Sequence, residues 1–171
     1  MIIENRPGAG GTIGAAAGHC RTMTHMVTLK ELAGHWTLVS FLEQKADGTW
    51  FDALGAGAQG CISYWDCGRM QVLIGAPERP RLRGAWSAIA DADKAACLDR
   101  MVAYSGRFSI DGERVLHHVE VCWIPNWQGR DLIRLASFPA PDQLLLRTEA
   151  ATDGRARPMQ EVLWQRACAA G

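Results

Sequence analysis

From Thr28 onward, the chain is a series of short segments in which apolar and polar residues alternate, and turn-forming residues separate one segment from the next. Alternation with a period of two predicts strands with one buried face, and pairs such as Asp47-Gly48 predict tight turns between them. The pattern therefore predicts an all-β fold of eight or nine strands, either a barrel or a sandwich. The predicted strands are Trp36–Lys45, Thr49–Ala53, Gly60–Trp65, Arg69–Ile74, Met101–Ile110, Arg114–Ile124, Arg130–Phe138, Gln143–Glu149 and Met159–Arg166.

Two segments depart from this alternation. Trp86–Arg100 is rich in alanine, which predicts one short helix with Asp91 or Asp93 as its N-cap. Residues 1–22 are rich in glycine and alanine and predict a flexible tail outside the fold. After a short lead-in, the barrel domain is expected to occupy residues 28–167.

One hairpin can be predicted residue by residue. If Asp111-Gly112 forms a two-residue type I′ turn, one face of the hairpin pairs Phe108 with Val115, Gly106 with His117, Tyr104 with Val119, and Val102 with Val121. This register places His117 inside the barrel and His118 outside it. Gly106 opposite His117 would leave space above the imidazole ring.

Composition and charge narrow the classes of function. Lys plus Arg and Asp plus Glu number 18 each, with no recurrent basic stripe, which argues against nucleic-acid binding. No apolar run approaches the ~18–20 residues of a membrane helix, and the opening segment lacks an export signal. The six cysteines form no C-x-x-C pair and are expected to be reduced thiols. We therefore expect a cytoplasmic protein without a membrane partner, and zero net charge leaves a homodimer possible.

The residues also resemble a known family. Gly34-x-Trp36 and Trp164-Gln165-Arg166 resemble the first and last strands of lipocalins, in which an arginine covers the first tryptophan. The segments Ala103–Phe108 and Val115–Val121, then Pro125-Asn126-Trp127-x-Gly129 and Arg134, resemble the small stand-alone lipocalin-like proteins of bacteria and fungi. The resemblance implies that the eight or nine strands form an antiparallel lipocalin-like β-barrel around a cavity for a small, largely apolar ligand. Lipocalin-type barrels include both carriers and cofactor-free enzymes, so the fold alone does not decide between them.

The candidate catalytic residues are His117, Tyr104 and Arg134. An inward imidazole can take and return a proton, and Tyr104 could donate a hydrogen bond to a developing enolate oxygen. Arg134 would hold a carboxylate if it faces inward, but its strand has apolar residues on both faces and leaves the direction open. We expect a cofactor-independent isomerase, lyase or hydratase that acts on a small apolar metabolite with a carbonyl or carboxylate group. The alternatives are a non-catalytic protein that binds such a ligand, and a His117 that is merely a hydrogen-bonded core residue.

Other side chains are candidates for ligand contact or for different chemistry. The expected ligand-binding residues are Tyr64, Trp65, Gly106, Phe108, Val119, Trp123 and Trp127, whereas Trp36 and Trp164 are assigned to structure. His118, Glu120 and Cys122 alternate on one strand and form a less favoured metal-site alternative, so no metal or other cofactor is expected. No Gly-x-Ser-x-Gly elbow occurs, and the sequence around Ser63, Ser105 and Cys61 does not favour an activated nucleophile.

Overall fold

The computed structural model describes residues 26–148 and 158–167, and within them nine strands form one antiparallel sheet. The strands are β1 (Gly34–Gln44), β2 (Trp50–Asp52), β3 (Gln59–Tyr64), β4 (Arg69–Gly75), β5 (Met101–Asp111), β6 (Arg114–Cys122), β7 (Asp131–Ser137), β8 (Gln143–Thr148) and β9 (Gln160–Arg166). The helices are α1 (Leu29–Leu32) and α2 (Asp91–Leu98), with 3₁₀ turns at Trp86–Ala88 and Pro125–Trp127. Each predicted strand is present, so the all-β prediction is confirmed. The predicted tail at 1–22 lies outside the described residues.

The sheet closes because β1 pairs with two neighbours on opposite sides. Trp36 pairs with Ile62 of β3 and also with Arg166 of β9. Eight strands thereby form a closed antiparallel barrel, and β2 is an additional short strand paired with the far end of β1. Closure removes the free edges of the barrel strands and surrounds a single apolar core.

One end of the barrel is closed by α1 and an arginine. Thr28 and Glu31 form a capping box on α1, and Leu32 is fully buried. The indole Nε1 of Trp36 donates to the carbonyl of Leu32 at 2.9 Å, and the Arg166 guanidinium lies 4.0 Å from the centre of the Trp36 ring. Gly34 is favoured here because its φ of +134° is one that other residues rarely adopt, and a Cβ at that position would also lie 2.8 Å from Nη1 of Arg166. The expected covering of the first tryptophan by the last arginine is thus present.

The predicted register of the β5–β6 hairpin is wrong. The two central turn residues are Gly112 and Glu113, and Asp111 pairs with Arg114. Gly112 has a φ of +63° and takes the first central position, as in a type II′ turn, where the prediction assumed type I′. His117 consequently pairs with Phe108. A shift of two residues preserves the faces, so the prediction that His117 is buried and His118 points outward is confirmed.

A bulge in β6 corrects two further predictions. Gly106 pairs with Val119 and Ser105 with Val121, which leaves Glu120 as an extra residue. Val121 is therefore turned outward and is 66% exposed, not inside the barrel as simple alternation predicted. A Cβ at Gly106 would overlap the carbonyl oxygen of His118. Gly106 allows the bulged backbone to approach β5, and it does not open space above the imidazole of His117.

The connection between β4 and β5 contains the helix, but not with the predicted bounds. The helix α2 begins at Asp91 and ends at Leu98, and the segment at Trp86 is a separate 3₁₀ turn. The N-cap is Ala90, without a side-chain capping bond, so the prediction of Asp91 or Asp93 is wrong. Both aspartates instead lie in the first turn, where carboxylates interact favourably with the helix dipole. In the described part of the chain, none of the helices has the length and apolar character needed to cross a membrane.

Candidate functional site

A pocket enters the barrel on the side of the β4–β5 connection and the Pro125–Trp127 turn. Its cavity volume is about 60 Å³, and the pocket opens from there to solvent. Nine of the lining side chains are apolar or aromatic, and three are polar: Tyr104, Arg134 and Gln160. Small-molecule sites commonly have this composition, in which apolar walls provide the area and a few polar groups fix the orientation of the ligand.

The register of β7 settles the direction of Arg134. This residue pairs with Val115, which is fully buried, and it shares a strand face with buried Ala136. Its guanidinium lines the pocket, and Nη1 donates to the carbonyl of Ile133 at 3.0 Å. Among the described residues it forms no ion pair. The pocket wall therefore contains a cation that has no carboxylate partner in the part of the chain that the structure describes.

His117 lies at the centre of a buried hydrogen-bonded chain. The hydroxyl of Tyr64 lies 2.7 Å from its Nε2, and the hydroxyl of Tyr104 lies 2.9 Å from its Nδ1. His117 has no exposed surface and is not part of the pocket wall, whereas Tyr104 is. The chain thus leads from Tyr64 through the imidazole to a hydroxyl group at the pocket.

The surroundings of Tyr64, His117 and Tyr104 keep all three side chains uncharged at neutral pH. Burial lowers the pKa of His117 well below its ordinary value, and the nearby charges of Arg134 and His118 lower it further. Burial also raises the pKa of both tyrosines, an effect that the positive charge of Arg134 partly opposes. The imidazole is therefore neutral, with one N–H donor and one acceptor nitrogen.

The neutral state determines the direction of the hydrogen bonds. Tyr64 is 1% exposed and its hydroxyl has no other partner among the described residues, so that hydroxyl must donate to Nε2. The proton of the imidazole is then on Nδ1, and Nδ1–H donates to the hydroxyl oxygen of Tyr104. Tyr104 retains its own hydrogen, which is free to be donated into the pocket. In the reverse arrangement the hydrogen of Tyr64 would be buried without an acceptor, at a cost of about 1–3 kcal/mol.

Comparison with protein families agrees with this geometry. The profile of the lipocalin-like domain family matches residues 33–167, which covers most of the chain and all eight barrel strands. The chain belongs to the lipocalin-like domain family. Comparison with curated proteins found no match.

The lipocalin-like fold supports a ligand-binding barrel, and the predicted site residues divide into three groups within it. Tyr104, Arg134 and Trp127 line the pocket. A second group lies in the core behind the wall, where the Tyr64 ring packs edge-on against Phe108 with centroids 4.9 Å apart. His117, Val119 and Gly106 belong to this buried group.

Trp65 and Trp123 form the third group, outside the pocket wall of the lipocalin-like barrel. Trp65 is 44% exposed, because it follows inward-facing Tyr64 and alternation turns it outward. Trp123 directly follows β6, and its buried Nε1–H has no acceptor among the described residues. Neither tryptophan is among the residues that line this pocket, and their role as ligand contacts stays a prediction.

Several wall residues of the lipocalin-like barrel were not predicted as ligand contacts. They include Phe41, Ile74, Leu146 and Gln160, which come from four different strands. Phe41 faces inward because an irregularity in β1 between Leu38 and Ser40 changes the alternation, and the position of the others along the barrel depends on register and closure. Trp164, assigned to structure, also lines the pocket, and its buried Nε1–H has no acceptor among the described residues.

The three residues of the metal-site alternative do not converge. The bulge at Glu120 interrupts their alternation, and each has a different partner. His118 is bonded to Asp131, Glu120 pairs with Arg69 and Arg107, and the Cys122 thiol lies near the carbonyl of Ile124.

Proposed function

We propose that this lipocalin-like protein binds a small, largely apolar molecule that carries one carboxylate or an equivalent anionic oxygen group. The observation that supports this most strongly is the guanidinium of Arg134, which lines an apolar pocket without an ion-pair partner in the described residues. A charge in such surroundings is costly unless an opposite charge accompanies it. A planar carboxylate matches the fork of N–H donors on an arginine.

Tyr104 supports the same ligand chemistry. The direction of the hydrogen bonds around His117 leaves the Tyr104 hydroxyl as a donor towards the pocket. A group that binds both Arg134 and Tyr104 must therefore accept hydrogen bonds, as a carboxylate does and an ammonium group does not. The apolar walls would bind the remainder of the ligand by the hydrophobic effect.

Calorimetric titration with two probes of the same length tests this proposal. Octanoate carries the anionic group, and 1-octanol is its neutral counterpart. The wild-type protein is expected to bind octanoate more tightly than 1-octanol. Arg134→Leu is expected to weaken octanoate binding by about tenfold to a hundredfold and to change the affinity for 1-octanol little. Equal binding of octanoate by wild type and Arg134→Leu would contradict the proposal. A melting curve for each protein checks that the fold is retained.

A second function, cofactor-independent acid–base catalysis, is favoured by the Tyr64–His117–Tyr104 chain. Tyr104 would donate a hydrogen bond to a bound carbonyl oxygen and so stabilise the enolate that forms when water takes the proton from the neighbouring carbon; water then returns a proton to that carbon. His117, held by Tyr64, directs the Tyr104 hydroxyl through Nδ1–H and is a positioning residue because it does not line the pocket. Isomerases, lyases and hydratases that pass through an enol use such assistance.

Exchange of carbon-bound hydrogen measures this activity without a known natural substrate. In deuterated buffer, the wild-type protein is expected to accelerate exchange at C3 of 2-oxooctanoate, as followed by proton NMR. Tyr104→Phe should lower the acceleration by about a hundredfold or more, whereas octanoate should still bind measurably. If the wild-type protein binds octanoate but leaves the exchange rate at that of buffer, the protein is a binder and not a catalyst of this chemistry.

A further inference from the structure

A second group of hydrogen-bonded side chains lies on the outer face of the barrel, across strands β5, β6 and β7. The Oγ of Ser109 lies 2.8 Å from Nε2 of His118, and Nδ1 of His118 lies 2.7 Å from Oδ1 of Asp131. The register explains the arrangement, because His118 is directly opposite Asp131 and diagonal to Ser109. None of these three residues belongs to the pocket wall.

The chemistry of the three groups determines which atom carries each proton. The Asp131 carboxylate can only accept a hydrogen bond, so Nδ1 of His118 carries a hydrogen. In the neutral imidazole, Nε2 is then an acceptor, and the Ser109 hydroxyl must donate to it. A serine that donates to an imidazole, which in turn donates to a carboxylate, is the arrangement that activates a serine as a nucleophile.

We propose that Ser109 is a nucleophile for small esters that approach the outer face of the barrel from solvent. Ser109 is exposed, and the side chains of His118 and Asp131 are 38% and 52% exposed, so a small ester can reach Oγ. Arg107 lies directly opposite His118 on the neighbouring strand, where its Nε is ion-paired with Glu120 at 3.2 Å. This activity is independent of the pocket and of the function proposed for it.

The reaction consumes one water for each ester. Oγ of Ser109 attacks the carbonyl carbon while its proton moves to Nε2 of His118. The C–O bond to the leaving alcohol then breaks, and Nε2 returns the proton to that alcohol. Water attacks the acyl-serine in the same manner, which releases the carboxylic acid and restores the serine hydroxyl.

Covalent labelling with diisopropyl fluorophosphate tests the proposal directly. The probe should add one phosphoryl group to Ser109, with loss of fluoride, as located by peptide mass spectrometry. Ser109→Ala should lose this adduct, and Asp131→Asn should slow its formation by about tenfold or more because the imidazole loses its orienting carboxylate. The rate of p-nitrophenyl acetate hydrolysis, measured relative to that of Ser109→Ala, should be highest for the wild-type protein and lower for Asp131→Asn.

The controls separate activation from simple exposure. Ser105→Ala removes another serine of the same strand, so this variant should be labelled at Ser109 at the wild-type rate. Ser109 and Asp131 are exposed, so their substitution should leave the core intact, and a melting curve for each variant should confirm that it is folded. The proposal is overturned if no adduct forms on Ser109, or if Asp131→Asn is labelled as fast as the wild-type protein.

Discussion

Two tyrosines contact the same histidine, yet their replacement by phenylalanine should have opposite consequences. Tyr64 donates to Nε2 of His117 over 2.7 Å in a site without solvent access. Tyr64→Phe removes that donor and leaves a buried nitrogen lone pair unpaired, at a cost of about 1–3 kcal/mol. For a domain of this size, 1 kcal/mol corresponds to about 4 °C, so the melting midpoint should fall by about 4–12 °C.

Tyr104→Phe should instead affect the ligand. Its hydroxyl borders the pocket, so a water molecule can enter the vacated position and accept from Nδ1–H, which limits the loss of stability to about 1 kcal/mol. The lost donor should weaken octanoate binding by about tenfold. Tyr64→Phe should bind octanoate with nearly wild-type affinity.

Thermal melting and calorimetric titration of Tyr64→Phe and Tyr104→Phe test the direction of the hydrogen bonds around His117. The direction of the hydrogen-bonded chain is refuted if Tyr104→Phe is the more destabilised variant and leaves octanoate affinity unchanged. It is also refuted if Tyr64→Phe is as stable as the wild-type protein. Nitrogen-15 NMR of His117 gives an independent measurement, since the wild-type protein should show the proton on Nδ1.

Three further predictions concern pH, the bulge and the outer face. Burial places the pKa of His117 in the folded protein below its ordinary value of 6.5, so the unfolded chain binds a proton at a higher pH than the folded protein does. As the pH is lowered from about 6.5, the free energy of unfolding should therefore decrease by up to about 1.4 kcal/mol per pH unit. His117→Gln should remove this component, so parallel slopes of the two proteins in denaturant titrations from pH 7 to 5 would contradict the assignment. Gly106→Ala should destabilise the protein by several kcal/mol in urea titrations, because the added methyl overlaps the backbone of β6; a loss under about 1 kcal/mol would show that the bulge yields. Val121→Lys should change the free energy of unfolding by less than about 0.5 kcal/mol, as expected for a residue that points outward. A decrease of more than about 2 kcal/mol would indicate that Val121 points into the barrel.

The sequence was sufficient to predict the strands because they depend on local alternation and turn chemistry. It was also sufficient for the burial of His117, since an error of two residues in the hairpin register does not exchange its faces. The alternation failed at Val121, where a single extra residue reversed the faces, and the Gly106 that permits this bulge gives no separate signal in the sequence.

The partners of the candidate residues depended on information that is not local. Tyr64 reaches His117 from 53 residues away, across the closed barrel, so strand order and register both had to be known. Arg134 could not be oriented from its own strand because both faces are apolar, and its pairing with buried Val115 settled the question. Ser109 had no distinguishing neighbours in sequence, and only the adjacency of three strands brought it to His118 and Asp131.

A crystal structure of the protein soaked with octanoate tests the central claim most directly. The account predicts that the carboxylate lies within hydrogen-bond distance of both the Arg134 guanidinium and the Tyr104 hydroxyl, with the alkyl chain against the apolar wall of the pocket. An octanoate bound with its carboxylate directed into solvent, or a pocket that stays free of octanoate at saturating concentration, would contradict it.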